Sequence, residues 1–374
     1  MQQVILLILF FFLQAIPPAS GQESSGATPK FQEAKPGYIY QFPRDDFSHE
    51  KFRIEWWYYT GNLESENGRR FGYQLTFFRV GLEGDKPILN PSKWKIGHIY
   101  FAHMTVSDIQ NEKFYFFERI NRKGIKNAGA ETDRFLIWNS DWSLSGKGDT
   151  HNLKALEKET GIELSLIPVK KRVFHGKDGI SVKGGGKGNA SHYFSFTRMQ
   201  TEGSVFIKGE KVQVKGTSWM DREFSSNQLN PSLVGWDWFS LKLENQTEIM
   251  LYQLRKKNGE IDPHSSGTFV AADENYHHLT SKEFTITPKS SWTSENTGAT
   301  YPAAWEIDLP NADIHLELVP DFLDQELYHM RSISGSYWEG SVSIKGKVNG
   351  KPITGKGYIE LVGYQKALKQ ELPD

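Results

Sequence analysis

The chain has 374 residues, with 44 Lys and Arg against 45 Asp and Glu, a formal net charge of −1 and no cysteine. Charge this balanced and dispersed excludes the concentrated basic face of a nucleic-acid binder. The absence of Cys excludes disulfides, thiol catalysis, a lipid-modified cysteine and a Cys-ligated metal, so a chain long enough for two domains must be held by its own core.

In chain order, the first element is the unbroken apolar run Val4 to Leu13, followed by Pro17-Pro18 and the small residues Ala19-Ser20-Gly21. That is the h-region and cleavage zone of a secretory signal, with the cut before Gln22. The run is short for a bilayer span and carries no Lys or Arg ahead of it; the alternative is an uncleaved anchor, and membrane association is expected only if the segment is retained. The expected location is secreted or periplasmic. Residues 22–37 read as a flexible N-terminal segment.

From there the chain reads as β throughout. Phe71, Tyr73, Leu75 and Phe77 alternate with Gly72, Gln74, Thr76 and Phe78, and Val205/Ile207, Val212/Val214 and Val342/Ile344 keep the same two-residue beat. Turn signals Glu66-Asn67-Gly68, Lys257-Asn258-Gly259 and Val348-Asn349-Gly350 fall between such runs at hairpin spacing. Many short strands with these turns indicate a barrel or a sandwich. The tail Tyr364 to Leu372 is the best helix candidate.

The sequence also repeats itself. Gly203-Ser-Val-Phe-Ile-Lys-Gly returns as Gly340-Ser-Val-Ser-Ile-Lys-Gly, and each copy leads through Gly216 or Gly355 to an aromatic and an acid two apart, Trp219/Asp221 and Tyr358/Glu360. Ile162 to Pro168 matches Ile314 to Pro320, and Trp56, Leu63 and Tyr73-Gln74-Leu75 match Trp236, Leu243 and Tyr252-Gln253-Leu254. A period this long belongs to whole β domains rather than to a solenoid. The expected domains are 38–225 and 231–363, joined by the loop Ser225 to Pro231.

The densest chemistry lies across that junction. Gly216 to Leu243 holds Trp219, Trp236 and Trp238 beside Asp221, Glu223 and Asp237, an apolar wall with polar groups set into it. Period two puts Trp219 and Asp221 on one face of their strand and Met220 and Arg222 on the other. It likewise puts Trp56 and Tyr58 opposite Glu55, Trp57 and Tyr59, and Trp236 and Trp238 opposite Asp237, which reads as a paired structural acid. Asp221 is the candidate general acid; the opposing reading is an ion pair with Arg222 that fixes the loop. The candidate ligand-binding residues are Trp56, Tyr58, Trp219, Trp236 and Trp238. No cofactor or metal is expected: His98 and His103 are an odd number apart, no His-Glu-x-x-His is present, and Gly184 to Gly188 lacks phosphate-loop spacing. No Gly-x-Ser-x-Gly elbow exists.

Phe42-Pro-Arg-Asp-Asp46, Glu55-Trp-Trp-Tyr-Tyr-Thr-Gly61, Gly216-Thr-Ser-Trp-Met-Asp-Arg-Glu-Phe224 and Gly235-Trp-Asp-Trp-Phe239 resemble the AttH and carotenoid 1,2-hydratase family over nearly all of the chain beyond the signal. The resemblance implies two tandem lipocalin-like β barrels that bind a hydrophobic small molecule such as a polyene, isoprenoid or lipid. Some members hydrate a terminal carotenoid double bond; others are exported proteins associated with ABC transporters. The family's proposed proton donor matches Asp221. Its carotenoid hydratases carry Tyr where Trp219 stands here, a departure that weighs against carotenoid chemistry. Two function classes follow: an enzyme with hydratase-type acid chemistry, or a lipid carrier or ABC transport accessory with the same cavity and no chemistry. N-terminal sequencing of the protein recovered from its host is expected to begin at Gln22; a start at Met1 would establish the retained anchor instead.

Overall fold

The computed structural model describes residues 31–82, 97–186, 188–225, 232–333 and 335–367, so the signal segment and residues 226–231 of the junction lie outside it. Among the described residues the chain forms two antiparallel sheets, one of thirteen strands from Ile54–Ser65 to Glu210–Ser225 and one of ten from Leu233–Leu243 to Lys351–Val362. Each curls into a lipocalin-like barrel. In both, the opening strand pairs with a hairpin partner on one side, Arg70–Gly81 or Glu248–Lys256, and with the distant closing strand on the other. The outer strands of the first sheet meet through side chains: Arg119 Nη1 donates to the Asn139 carbonyl at 3.1 Å and Asn121 Nδ2 to Asn139 Oδ1 at 2.7 Å.

Alternation decides what fills each barrel. Trp57, Tyr59, Phe71, Tyr73, Leu75, Phe77, Met220 and Phe224 point into the first, and Phe239, Leu241, Leu243, Ile249, Leu251 and Trp305 into the second. The residues between them face outward. On the strands where the barrels meet, those outward residues are aromatic as well, and Tyr58, Tyr193, Trp219, Trp238, Met250, Tyr252 and Leu254 form a cluster flanked by Trp56 and Trp236. Each such side chain contributes on the order of 2 kcal/mol by burial. Buried hydrogen bonds cross the same face: His103 lies 2.7 Å from both Tyr337 Oη and Ser332 Oγ, Ser107 Oγ donates to Gln325 at 2.8 Å, and Lys170 reaches Glu248 at 2.7 Å. Satisfied buried polar contacts of this kind fix how the barrels meet.

The strand registers show which repeats are structural. Leu63 lies opposite Gly216 and Leu243 opposite Gly355, so Trp56 answers to Trp236, Tyr58 to Trp238, Trp219 to Tyr358 and Asp221 to Glu360. At both glycines a Cβ would sit 2.6 Å or less from a carbonyl oxygen of the neighbouring strand, of Asn62 or Lys242, so the close approach requires Gly. The segments from Ile162 and Ile314 correspond too, because Leu164 faces Gly203 as Leu316 faces Gly346. Gly203 therefore answers to Gly346 and not to Gly340. The Tyr-Gln-Leu match is also out of step: Tyr73 faces Gly61, whereas Tyr252 faces Trp238.

Inside the first barrel, buried Glu55 is ion-paired with Arg79 and Arg222, all three with no side-chain exposure. Ser48 Oγ donates to it at 2.6 Å and the His49 amide at 2.9 Å, while Arg222 Nη2 and Arg79 Nη2 donate to the carbonyls of Phe47 and Phe52 at 2.6 and 2.7 Å. The network ties the 47–52 segment to the barrel. Burial works to raise the Glu55 carboxyl, but the Arg79 and Arg222 guanidiniums, with His49, hold it well below its ordinary range. Of the segment 22–37, residues 31–37 are described: the Gln32 amide bonds to the Lys51 carbonyl at 2.9 Å and Ala34 is buried. At the other end Tyr364 to Lys366 form a bend rather than the expected helical start, and the rest of that tail from residue 368 lies outside the described residues. Glu55→Gln, which leaves two buried guanidiniums uncompensated, is expected to cost about 3–5 kcal/mol in urea unfolding at pH 7; a loss below about 1 kcal/mol would show that the network does not hold the barrel.

Candidate functional site

The Glu210–Ser225 strand runs between Ile54–Ser65 and Ala190–Ile207, which places Tyr58 on one side of Asp221 and Ser195 on the other. Arg222 faces the opposite way, into the barrel and onto Glu55, so the Asp221–Arg222 ion pair considered from sequence does not form. The Asp221 carboxylate is only 4% exposed and accepts from Tyr193 Oη at 2.6 Å, from Trp219 Nε1 at 2.6 Å and from Ser195 Oγ. All three donors are neutral. Burial pushes the Asp221 carboxyl up to about 7, the three hydrogen bonds drawing it down and the charge of Glu223 adding to the rise. Ser195 Oγ also lies 2.7 Å from His175 Nε2, whose Nδ1 is 2.8 Å from Thr268 Oγ1. Burial lowers that imidazole to about 3, so it is neutral and orients the serine.

Asp221 opens on a pocket of about 80 Å³ between the barrels. Its apolar wall is Trp56, Phe78, Trp236, Trp238, Tyr252 and Leu254; its polar groups are Tyr58, Lys183, Tyr193, Asp221, Glu223 and Glu360. Four of the five aromatics chosen from sequence, Trp56, Tyr58, Trp236 and Trp238, line it directly. Trp219 does not: it is fully buried behind the wall, edge-on to Trp238 at 6.2 Å between ring centroids, and serves Asp221 as a hydrogen-bond donor. Asp237 points the other way, onto Arg255 at 3.0 Å and Tyr364 Oη at 2.9 Å.

The second barrel brings its own acid. Glu360 stands opposite Trp238 as Asp221 stands opposite Tyr58, accepts from Trp236 Nε1 at 2.9 Å and keeps part of its surface open. Burial pushes it, too, up to about 7. Glu339, its cross-strand neighbour, accepts from Tyr58 Oη, and burial together with the Glu360 charge holds its carboxyl well above the usual range. Lys183 supplies a cation but is ion-paired with Glu223. Among the described residues no three His, Asp or Glu side chains are grouped to hold a metal.

Sequence reasoning missed Glu360, Glu339, Tyr193 and Lys183 as site residues. A signal for Glu360 was present, since the repeat made it the counterpart of Asp221. Tyr193 and Lys183 come from elements whose approach to the junction no local pattern records.

Two β barrels in tandem, packed around an aromatic pocket with carboxyl groups, define a lipocalin-like protein with a hydratase-like fold. The chain belongs to the AttH-like family, whose profile matches residues 33–364. It is similar in structure to an AttH-designated protein from Nitrosomonas europaea, 31% identical, covering 90% of this chain and 100% of the other with a TM-score of 0.81. The fold is shared with kievitone hydratase from Nectria haematococca, at 17% identity, 91% and 97% coverage and a TM-score of 0.67. In sequence, a kievitone hydratase of Fusarium solani subsp. phaseoli is 25% identical over 167 residues, 44% of this chain and 46% of that protein. A dehydratase, asqC, of Emericella nidulans is 19% identical over 219 residues, 57% of this chain and 61% of that protein. The chain thus spans about half the length of these two relatives.

An acid whose folded-state value lies above its ordinary 3.8 holds a proton that the unfolded chain has released, so the folded state loses stability as pH rises from about 4 to 7 and carries the full cost above that. Asp221→Asn removes the titration. Urea unfolding is expected to show the variant close to wild type at pH 4 and more stable by on the order of a few kcal/mol at pH 8; the same difference at both pH values would mean that Asp221 does not titrate near neutrality.

Proposed function

We propose that the protein binds an apolar small molecule in the pocket between its barrels and adds water to, or removes it from, a carbon–carbon double bond, with Asp221 as the proton donor. The observation that carries this reading is a buried carboxyl with no cation beside it, poised near neutrality and facing an aromatic wall. Protonating an alkene needs a carboxylic acid that is still protonated at working pH, and burial supplies one. The rings of Trp236 and Trp238 line the same pocket, and aromatic groups there can stabilise the carbocation left on the adjacent carbon. Glu360 faces the same pocket, and burial raises it into the same range, so near neutrality one of the two carboxyls can hold a proton while the other is ionised. In that state Asp221 gives its proton to one carbon, water bonds to the other, and Glu360 takes the proton that water releases; the reverse order eliminates water.

An engineered cavity of about 150 Å³ takes benzene. A pocket of about 80 Å³ therefore admits a terminal group, with the rest of the ligand, a polyene, isoprenoid or lipid, lying along the open mouth at Trp56, Phe78 and Trp236. The names of the kievitone hydratase and dehydratase relatives support water addition or removal as the reaction class. An exported location is part of the proposal and rests on the Val4 to Leu13 run.

The test is to recover the protein from its host, identify co-purifying apolar molecules by mass spectrometry, and incubate them with wild type, Asp221→Asn and Glu360→Gln. Asp221→Asn is expected to lower turnover by roughly 10²–10⁴-fold while binding persists, and wild-type kcat/KM is expected to be bell-shaped about neutrality, falling at lower pH as Glu360 takes a proton and at higher pH as Asp221 loses one. Turnover by Asp221→Asn at the wild-type rate would remove Asp221 from the chemistry. A bound molecule left unchanged by wild type would instead make the protein a carrier, free or serving an ABC transport system.

A further inference from the structure

The outward face of the Leu233–Leu243 strand that presents Trp236 and Trp238 to the pocket continues to Lys242, about 13 Å further along at strand rise. Lys242 is 3% exposed, and its Nζ has no hydrogen-bond partner. Its cross-strand neighbours do not relieve it. On one side stands Lys356, a like charge directly opposite, which is destabilising. On the other stands Glu248, whose two oxygens are already taken by Lys170 at 2.7 Å and Arg198 at 2.5 Å. The counterpart of Lys242 in the first barrel shows what a satisfied residue at this position looks like: Asn62 donates across the interface to Ser341 Oγ and the Gly357 carbonyl, each at 3.2 Å.

Lys242 also lines a groove of about 350 Å³ between the barrels, together with Arg198, Thr217, Ser343, Thr354 and Lys356. Glu244 is the carboxylate on its wall. Lys356 Nζ lies 3.1 Å from Ser343 Oγ, and Arg198 Nη2 donates to the Leu243 carbonyl at 2.8 Å, so two further cations are held in place around the groove. A buried ammonium without a partner destabilises the fold, and a second cation opposite it adds to that cost. An anion in the groove would remove both terms.

We propose that this groove binds a small oxyanion, the carboxylate or phosphate group of a small molecule, held by Lys242, Lys356 and Arg198 with the hydroxyls of Thr217 and Thr354 as further donors, the Ser343 hydroxyl being donated to Asp321. The four-carbon stem of Lys242 lets its amine turn toward the groove it lines. The site is separate from the Asp221 pocket and stands whether or not that pocket is catalytic. Burial, with the Arg198 guanidinium beside it, lowers the Lys242 amine to about 7, against the pull of Glu248. An anion binds the protonated amine, so affinity should fall as the proton leaves. The other charged groups around the amine are Arg198, Lys356, Glu244 and Glu248.

Sulfate, which does not titrate in this range, is the probe for calorimetry on the full chain. Wild type is expected to bind one sulfate with a Kd no weaker than about 1 mM at pH 6, and binding should weaken about tenfold per unit above pH 7 by proton linkage. Lys242→Met should lose at least tenfold in affinity and gain in Tm, because it removes a buried charge and keeps the volume. Lys356→Gln, on a partly exposed side chain, should weaken binding without affecting folding, and it carries the test if Lys242→Met does not fold. Phosphate competing better than acetate would point to a phosphoryl ligand, and the reverse to a carboxylate. Failure of wild type to bind sulfate in this range, or binding unchanged in both variants, overturns the proposal.

Discussion

Glu55 sits inside the first barrel between the guanidiniums of Arg79 and Arg222, and this arrangement leaves Asp221 without a cation on the other face of the same strand. Asp221 and Arg222 are neighbours in the chain, yet the pleat sends them to opposite sides of the sheet. Had Arg222 reached Asp221, its charge would have held the carboxyl ionised at every working pH. With Arg222 bound inside the barrel, Asp221 meets only the neutral donors Tyr193, Ser195 and Trp219, and burial dominates. The same ion pairs hold the 47–52 segment, so the stability of the first barrel and the protonation state of the pocket share one origin.

The pocket is a product of duplication as much as of folding. Each barrel contributes an opening strand with two outward aromatics, Trp56 and Tyr58 or Trp236 and Trp238, and a closing strand with an acid, Asp221 or Glu360, in the same register. The barrels join through those faces, so two acids at equivalent positions end up lining one cavity. Their surroundings then diverge. Asp221 is deep and triply hydrogen-bonded, whereas Glu360 is partly open and beside a second buried carboxyl, Glu339. Two carboxyl groups in unlike surroundings can take unlike roles. Holding several of them close to neutral in a buried site costs stability, which the aromatic cluster around them offsets.

Much of the fold was legible in the chain. Alternating runs such as Phe71 to Phe77 and the turns at Asn67-Gly68, Asn258-Gly259 and Asn349-Gly350 are local signals, and the strands and hairpins appear where they point. The repeat was legible in outline and wrong in detail. Gly203 and Gly340 share a motif but not a place, because the barrel requires Gly only where a neighbouring backbone approaches, and that position is Gly346. Of the tail expected to be helical only the start is described, and there the chain bends at Tyr364, whose hydroxyl and ring are taken by Asp237 and Arg255.

The sequence by itself determined the period-two patterning, hence the all-β class, the sharing of one strand face by Trp219 and Asp221 with Arg222 on the other, and the placing of Asp237 opposite Trp236 and Trp238. These follow from backbone geometry, which acts over two residues. Only the tertiary structure decided that Trp219 lies behind the pocket wall, that Tyr193 bonds to Asp221 while Glu360 and the Lys183–Glu223 pair line the same pocket, and that Lys242 is buried without a partner. Those facts depend on burial and on contacts between residues distant in the chain, 28 positions apart for Tyr193 and Asp221 and 281 for Tyr58 and Glu339. A carboxyl's proton affinity is set by that desolvation and by the charges around it, so the property on which the proposed chemistry rests exists only once the two barrels have met.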